Sequence, residues 1–126
     1  MARILVIDDD ELLRGALRTA LEGAGYDVME AADGKAGLRL QLQQSADLVI
    51  VDIFMPELDG LEVIRALRAE APQPKIVAIS GGGRIGQIDA LRAAAAFGAS
   101  RTLQKPFEPR ELLTAVRELL AERGPP

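Results

Sequence analysis

The sequence predicts an α/β domain, a parallel sheet with helices packed on both faces. Three short runs, Ile4–Ile7, Leu48–Val51 and Ile76–Ile79, are rich in Ile and Val and lack polar alternation. Strands buried on both faces read this way. Helical patterns alternate with strand patterns, β-α five times over, and that order implies parallel strands joined by right-handed crossovers. The 126 residues suit one compact domain, so 1–126 is read as a single unit without a second domain.

The elements follow in order. Ile4–Ile7 is the first strand. Leu13, Ala16, Leu17, Ala20, Leu21 and Ala24 then recur at helical spacing, and Gly25 ends that helix by accepting the left-handed cap position. A weaker strand is expected over Tyr26–Glu30. A helix follows over Asp33–Gln44, where Ala36, Leu38, Leu40 and Leu42 give a blurred stripe. Leu48–Val51 is the third strand. The third helix covers Asp59–Glu70 through Leu61, Ile64 and Leu67, and Pro72 and Pro74 stop it. After Ile76–Ile79, a fourth helix over Arg84–Phe97 carries Ile85, Ile88, Leu91 and Ala94 or Ala95; its Ala93–Ala96 run reads as a surface packed closely on a neighbour. A second weaker strand is expected over Ser100–Gln104. The last helix begins near Pro109, since proline suits the first turn, and its stripe is Leu112, Leu113, Val116, Leu119 and Leu120.

Composition narrows the chemistry. There are 15 basic and 19 acidic residues, a net charge of −4, which argues against nucleic acid or an anionic membrane as a partner. Cys and His are both absent. That excludes disulfides, thiol nucleophiles, zinc held by N or S, and a Ser-His-Asp triad. What remains is carboxylates, lysine, hydroxyls and backbone amides, with any metal a hard, oxygen-preferring ion. Met1–Arg3 leads straight into a strand without a signal-peptide layout, and no apolar stretch approaches the ~20 residues of a membrane span. A cytoplasmic location is the expectation.

The informative polar residues follow the strands. Asp8, Asp9 and Asp10 follow the first, Asp52 the third, Ser80 the fourth and Lys105 the fifth. Ligands of open α/β sheets bind at the carboxyl ends of the strands, where strand order reverses. Carboxylates about 4 Å apart repel by roughly 4 kcal/mol at an effective dielectric near 20. Such a cluster raises a pKa or holds a cation, and Mg²⁺ is the natural one. Asp10 reads best as a helix N-cap; Asp8 and Asp9 read as metal ligands provided Asp52 joins them. Asp52 itself is either a nucleophile able to form an acyl phosphate or an ordinary acid at a strand end. Lys105 is either a phosphoryl partner or a solvated amine. Pro106 follows it, and a cis Lys105–Pro106 bond would aim the amine inward. Ser80-Gly81-Gly82-Gly83 is either a flexible turn and cap or a hydroxyl with exposed amides, that of Gly81 included, that binds phosphoryl oxygens.

Taken together, Ile4-Leu5-Val6-Ile7-Asp8-Asp9-Asp10, Asp47-Leu48-Val49-Ile50-Val51-Asp52, Met55-Pro56-Glu57-Leu58-Asp59-Gly60 and Lys105-Pro106-Phe107 resemble the receiver domain of bacterial response regulators. The resemblance runs from Ile4 to about Leu120. It implies a flavodoxin-like (βα)5 fold with sheet order 2-1-3-4-5, so that the first and third strands bring Asp8 and Asp9 beside Asp52. It also implies the roles. Asp52 is the phosphoacceptor. Asp8, Asp9, Asp52 and the Phe54 backbone carbonyl hold Mg²⁺, for which Mn²⁺ can substitute. Lys105, Ser80 and the Gly81 amide bind the phosphoryl group, Ser80 and Thr102 are switch positions, and Pro56, Gly60 and Pro106 are structural.

The resemblance implies a donor, the phosphohistidine of a sensor histidine kinase or histidine phosphotransfer protein. It implies a downstream protein target or separate output domain, with the fourth helix, fifth strand and fifth helix as the partner or homodimer face. Arg84, Arg92, Arg101, Arg110 and Arg117 lie on or near that face, most simply as solvated charges. No enzyme activity is implied beyond self-phosphorylation and slow autodephosphorylation. Three positions depart from the family pattern. Thr102 stands where many members carry a switch aromatic, Phe54 stands where polar side chains are common, and the Ser80–Gly83 loop is unusually rich in glycine. Two alternatives differ in class. One is an interaction module with this fold and no phosphorylation. The other is a haloacid-dehalogenase-type phosphatase using Asp8 as nucleophile, which Leu12 and the missing late acid pair oppose.

Overall fold

A computed structural model describes residues 2–55, 59–70, 73–80 and 87–122, the side chains of 87–91 excepted. Its elements run β1 (Arg3–Ile7), α1 (Glu11–Gly23), β2 (Asp27–Ala31), α2 (Gly34–Gln43), β3 (Leu48–Asp52), α3 (Gly60–Arg68), β4 (Lys75–Ser80), α4 (Gln87–Phe97), β5 (Arg101–Gln104) and α5 (Pro109–Ala121). All pairings are parallel, and the sheet order is β2-β1-β3-β4-β5. The expected order therefore holds. No helix among the described residues is long and apolar enough to cross a membrane.

Alternation along the central strands sorts their side chains to two cores. Leu5, Ile7, Val49, Val51, Ile76 and Ala78 pack on one side with Val63, Ile64 and Leu67 of α3. Ile4, Val6, Leu48, Ile50, Val77 and Ile79 pack on the other with Leu17 and Leu21 of α1 and Leu112, Val116 and Leu119 of α5. These strands are sealed on both faces, which is why they carry unbroken apolar runs. The edge strands β2 and β5 are only partly buried, and their sequence signal is weaker for that reason.

Boundaries shift by a residue or two where caps decide them. Asp10, Asp33 and Asp59 stand just outside their helices and accept first-turn N–H groups, as N-caps do. After α1, Gly25 adopts φ +97°. Tyr26 N–H reaches the Leu21 carbonyl and Gly25 N–H the Glu22 carbonyl, the paired bonds of a Schellman cap. In α2 the blurred stripe has a structural cause. Its buried positions are Gly34, Gly37 and Gln41, while Leu42 is 68% exposed. A Cβ on Gly37 would collide with the Ile7 side chain, so this helix approaches β1 through a missing side chain. In the Ala93–Ala96 run only Ala94 is buried. Residues 84–86, the expected start of the fourth helix, lie outside the described residues.

Candidate functional site

Strand order builds the site. β1 and β3 are neighbours, with Ile7 paired to Val51, so the residues that follow them emerge side by side. Asp8 extends the ladder by one bond, its N–H donating to the Ala31 carbonyl at 3.1 Å. Its Oδ1 accepts the Asp10 N–H at 2.9 Å. Asp10 turns away to cap α1, where its Oδ1 accepts the N–H groups of Leu12 and Leu13. Carboxylate oxygens of Asp8, Asp9 and Asp52 lie within 4.8 Å of one another. Asp8 is fully buried, Asp52 is 4% exposed and Asp9 faces solvent.

The lysine arrives from β5. Its backbone N–H donates to the Ser80 carbonyl at 2.8 Å, tying the ends of β4 and β5, and the Lys105–Pro106 bond is cis. Lys105 Nζ stands 3.5 Å from Asp8 Oδ2 and 3.6 Å from Asp52 Oδ2. Ser80 lies at the carboxyl end of β4, one residue beyond the β4 partner of Asp52. Its Oγ is buried and has no hydrogen-bond partner among the described residues. A hydroxyl left so costs free energy unless something else supplies the bond.

Behind Asp52, the Phe54 N–H donates to Asp52 Oδ1 at 3.2 Å. The Ile53 carbonyl accepts the Gly60 N–H at 2.9 Å. A Cβ on Gly60 would overlap the Asp52 carbonyl oxygen and the Ile53 Cα. The glycine thus lets α3 start directly against the backbone that carries the acid. Thr102 is half-buried on β5 and paired with Ala78. Pro56 and Gly81 lie outside the described residues.

Electrostatically the pocket is short of positive charge. Burial, and next the charge of Asp8, push the Asp52 carboxyl up to about 6 against the pull of Lys105 and the Phe54 N–H. Burial also raises Asp8, opposed by the Asp10 N–H and by Lys105. Three carboxylates against one ammonium leave an excess of two negative charges when all are ionised. Clustered oxygen donors with that excess, beside a buried hydroxyl lacking a partner, fit a hard divalent cation and an anionic group together.

One contact has no counterpart in the sequence pattern. Arg14 of α1 donates to the Asp8 carbonyl oxygen and to Glu30 of β2. The Glu30 carboxyl is held below its ordinary range, first by its hydrogen bond from Arg18 and further by Arg14. A helix arginine six residues beyond an acid reads as a solvated charge. The available signal was the acid Glu30 between Met29 and Ala31 near the end of a weak strand.

A doubly wound parallel sheet with this acid cluster at its carboxyl edge defines a receiver-type α/β domain. The model of the response regulator receiver domain family matches residues 4–117, and the chain belongs to that family, which serves two-component signalling. It is similar to the response regulator MprA of Mycolicibacterium vanbaalenii, with 39% identity over 98% of this chain and 52% of that protein. It is similar also to the transcriptional regulatory protein CpxR of Escherichia coli, with 36% identity over 95% of this chain and 50% of that protein. The chain thus spans about half the length of these relatives. Among solved structures, a response regulator receiver domain protein from Clostridium thermocellum superposes with a TM-score of 0.85 and 31% identity, covering 94% of this chain and 93% of that one.

Proposed function

We propose that this receiver domain is a phosphoacceptor switch in which Asp52 takes a phosphoryl group from the phosphohistidine of a sensor histidine kinase or histidine phosphotransfer protein. The observation that carries this reading is the buried Asp52 carboxylate, set beside Asp8 and 3.6 Å from Lys105 Nζ, with too little positive charge around it. A carboxylate oxygen of Asp52 attacks phosphorus as the P–N bond to the donor imidazole breaks, and the imidazole takes up a proton on leaving. Catalysis of such a step is positioning and charge neutralisation. Asp8, Asp9, Asp52 and the Phe54 carbonyl would hold Mg²⁺, or Mn²⁺ in its place. When bound, the ion neutralises charge on the transferring group. Lys105 pairs with a phosphoryl oxygen, and the Ser80 hydroxyl and Gly81 amide donate hydrogen bonds to others.

The unpartnered Ser80 Oγ supports a switching role, because a phosphoryl oxygen would give it the acceptor it lacks. Its movement, and Thr102 on the neighbouring strand, would bias the α4, β5 and α5 face between two packings. That face would engage a downstream protein, an output domain or a second copy. Residues 1–126 act here as one receiver unit with no direct contact to nucleic acid. The direct test is incubation with acetyl phosphate and Mg²⁺ followed by intact mass. Wild type is expected to gain one phosphoryl group and Asp52→Asn none. No gain with any donor would leave an interaction module, and a gain that survives in Asp52→Asn but not in Asp8→Asn would point to the phosphatase chemistry.

A further inference from the structure

We infer that Arg14 is a positioning residue for the cation site: its guanidinium clamps the Asp8 backbone carbonyl and thereby sets the direction in which the Asp9 carboxylate leaves the chain. The inference rests on reading Asp8, Asp9 and Asp52 as a cation site. Arg14 Nη1 donates to the Asp8 carbonyl oxygen at 2.8 Å and Arg14 Nε to Glu30 Oε1 at 2.9 Å. The side chain is 15% exposed, so both bonds are largely screened from water. Glu30 Oε2 accepts in turn from Arg18 Nη1 at 2.7 Å. One guanidinium therefore joins three pieces of chain: the first turns of α1, the end of β2, and the loop that carries the acids.

The Asp8 carbonyl belongs to the planar peptide that links Asp8 to Asp9. On the near side of that peptide Asp8 is already fixed, by its N–H bond to Ala31 and its Oδ1 bond from Asp10. Holding the carbonyl from outside fixes the remaining rotation. That places the Cα of Asp9, and the Asp10 N–H bond back to Asp8 Oδ1 restrains the rotation about the Asp9 backbone that then aims its Cβ. Asp9 is exposed, so packing does not hold its side chain, and its aim depends on the backbone beneath it. Glu30 neutralises the guanidinium, which lets Arg14 act as a hydrogen-bond donor without competing as a cation. Arg14 and Arg18 both pair with Glu30; the bond to the Asp8 carbonyl is what distinguishes Arg14 from Arg18.

The experiment is a titration of the full chain with Mn²⁺, free ion being followed by electron paramagnetic resonance, on folded protein verified by circular dichroism. Arg14→Ala is expected to weaken Mn²⁺ binding by about tenfold or more, the usual scale for a partner behind a metal ligand. Arg18→Ala, which breaks the outer bond to Glu30 but leaves the Arg14 clamp, is expected to bind as wild type does. Should the alanine variant fail to fold, Arg14→Gln carries the test, because its amide is too short to reach both partners. Wild-type affinity in the Arg14 variants would overturn the inference, as would an equal loss in Arg18→Ala. If wild type itself binds no Mn²⁺, the cation-site reading fails first, a result plainly different from the other two.

Discussion

At the level of single residues, Asp52 meets two opposing influences. Folding strips its water and sets it near Asp8, while one ammonium, that of Lys105, partly compensates. The net effect lifts its carboxyl from an ordinary 3.8 to about 6. Between those values the native state binds more protons than the unfolded chain, so stability falls as pH rises from about 4 to about 6 and stays lowered above. A carboxyl raised by that much costs on the order of 3 kcal/mol once it is ionised, shared with Asp8 because the two carboxyls titrate together. Asp52→Asn keeps an acceptor for the Phe54 N–H and removes the charge. In urea unfolding with a chelator present, the variant should be more stable than wild type near neutral pH, and the advantage should vanish near pH 4. A difference that does not change with pH would mean that charge is not the cause. The acids were legible in the sequence because they interrupt apolar strands at their carboxyl ends, and Lys105 because it closes a fainter strand directly before Pro106. Arg14 was not, since nothing in a helix pattern says that a guanidinium bends back to a carbonyl.

Elements show a parallel division between what side-chain patterns reveal and what they hide. β1, β3 and β4 announce themselves because both faces are sealed, whereas β2 and β5 pack partly in the open and leave a fainter trace. Caps are visible as Asp before a helix and Gly after one. Close approach is not visible, because it uses the absence of a side chain. Gly37 lets α2 settle on Ile7, and Gly60 lets α3 begin against the carbonyl of Asp52. At Gly37 the obstacle to a methyl group is a side chain, which can rotate. At Gly60 the obstacle is backbone, which cannot yield without moving the acid. Gly60→Ala should therefore destabilise by about 2–3 kcal/mol, the upper part of the usual overpacking range, although alanine is the better helix former. Chemical denaturation measures the loss. Gly37→Ala should cost less, and an equal or larger loss there would show that the backbone around Asp52 is more compliant than its contacts suggest.

The whole molecule depends on one topological fact: the chain reverses direction across the sheet between β1 and β3, so that two distant segments present acids to each other. Five alternating strand and helix patterns predict a parallel sheet but leave strand order open; the order came from the resemblance of four motifs. That arrangement concentrates negative charge in the native state and disperses it on unfolding. A divalent cation should therefore favour the native state by RT ln(1 + [L]/Kd), about 1.4 kcal/mol at ten times Kd. The sign of its pH dependence follows from Asp52. Above pH 6 the carboxyl is ionised and available; near pH 5 it is largely protonated, and a proton must leave before the ion can bind. Mg²⁺ should accordingly raise the unfolding midpoint at pH 7.5 and raise it less at pH 5. Asp9→Asn and Asp52→Asn should each remove most of the increment at pH 7.5, Asp9→Asn because an exposed carboxylate of the proposed site is lost without a change in core packing. Thermal unfolding with and without Mg²⁺ at the two pH values measures all four quantities. If the increment survives in both variants, the ion binds elsewhere on the surface, and the meeting of β1 and β3 does not create the cation site.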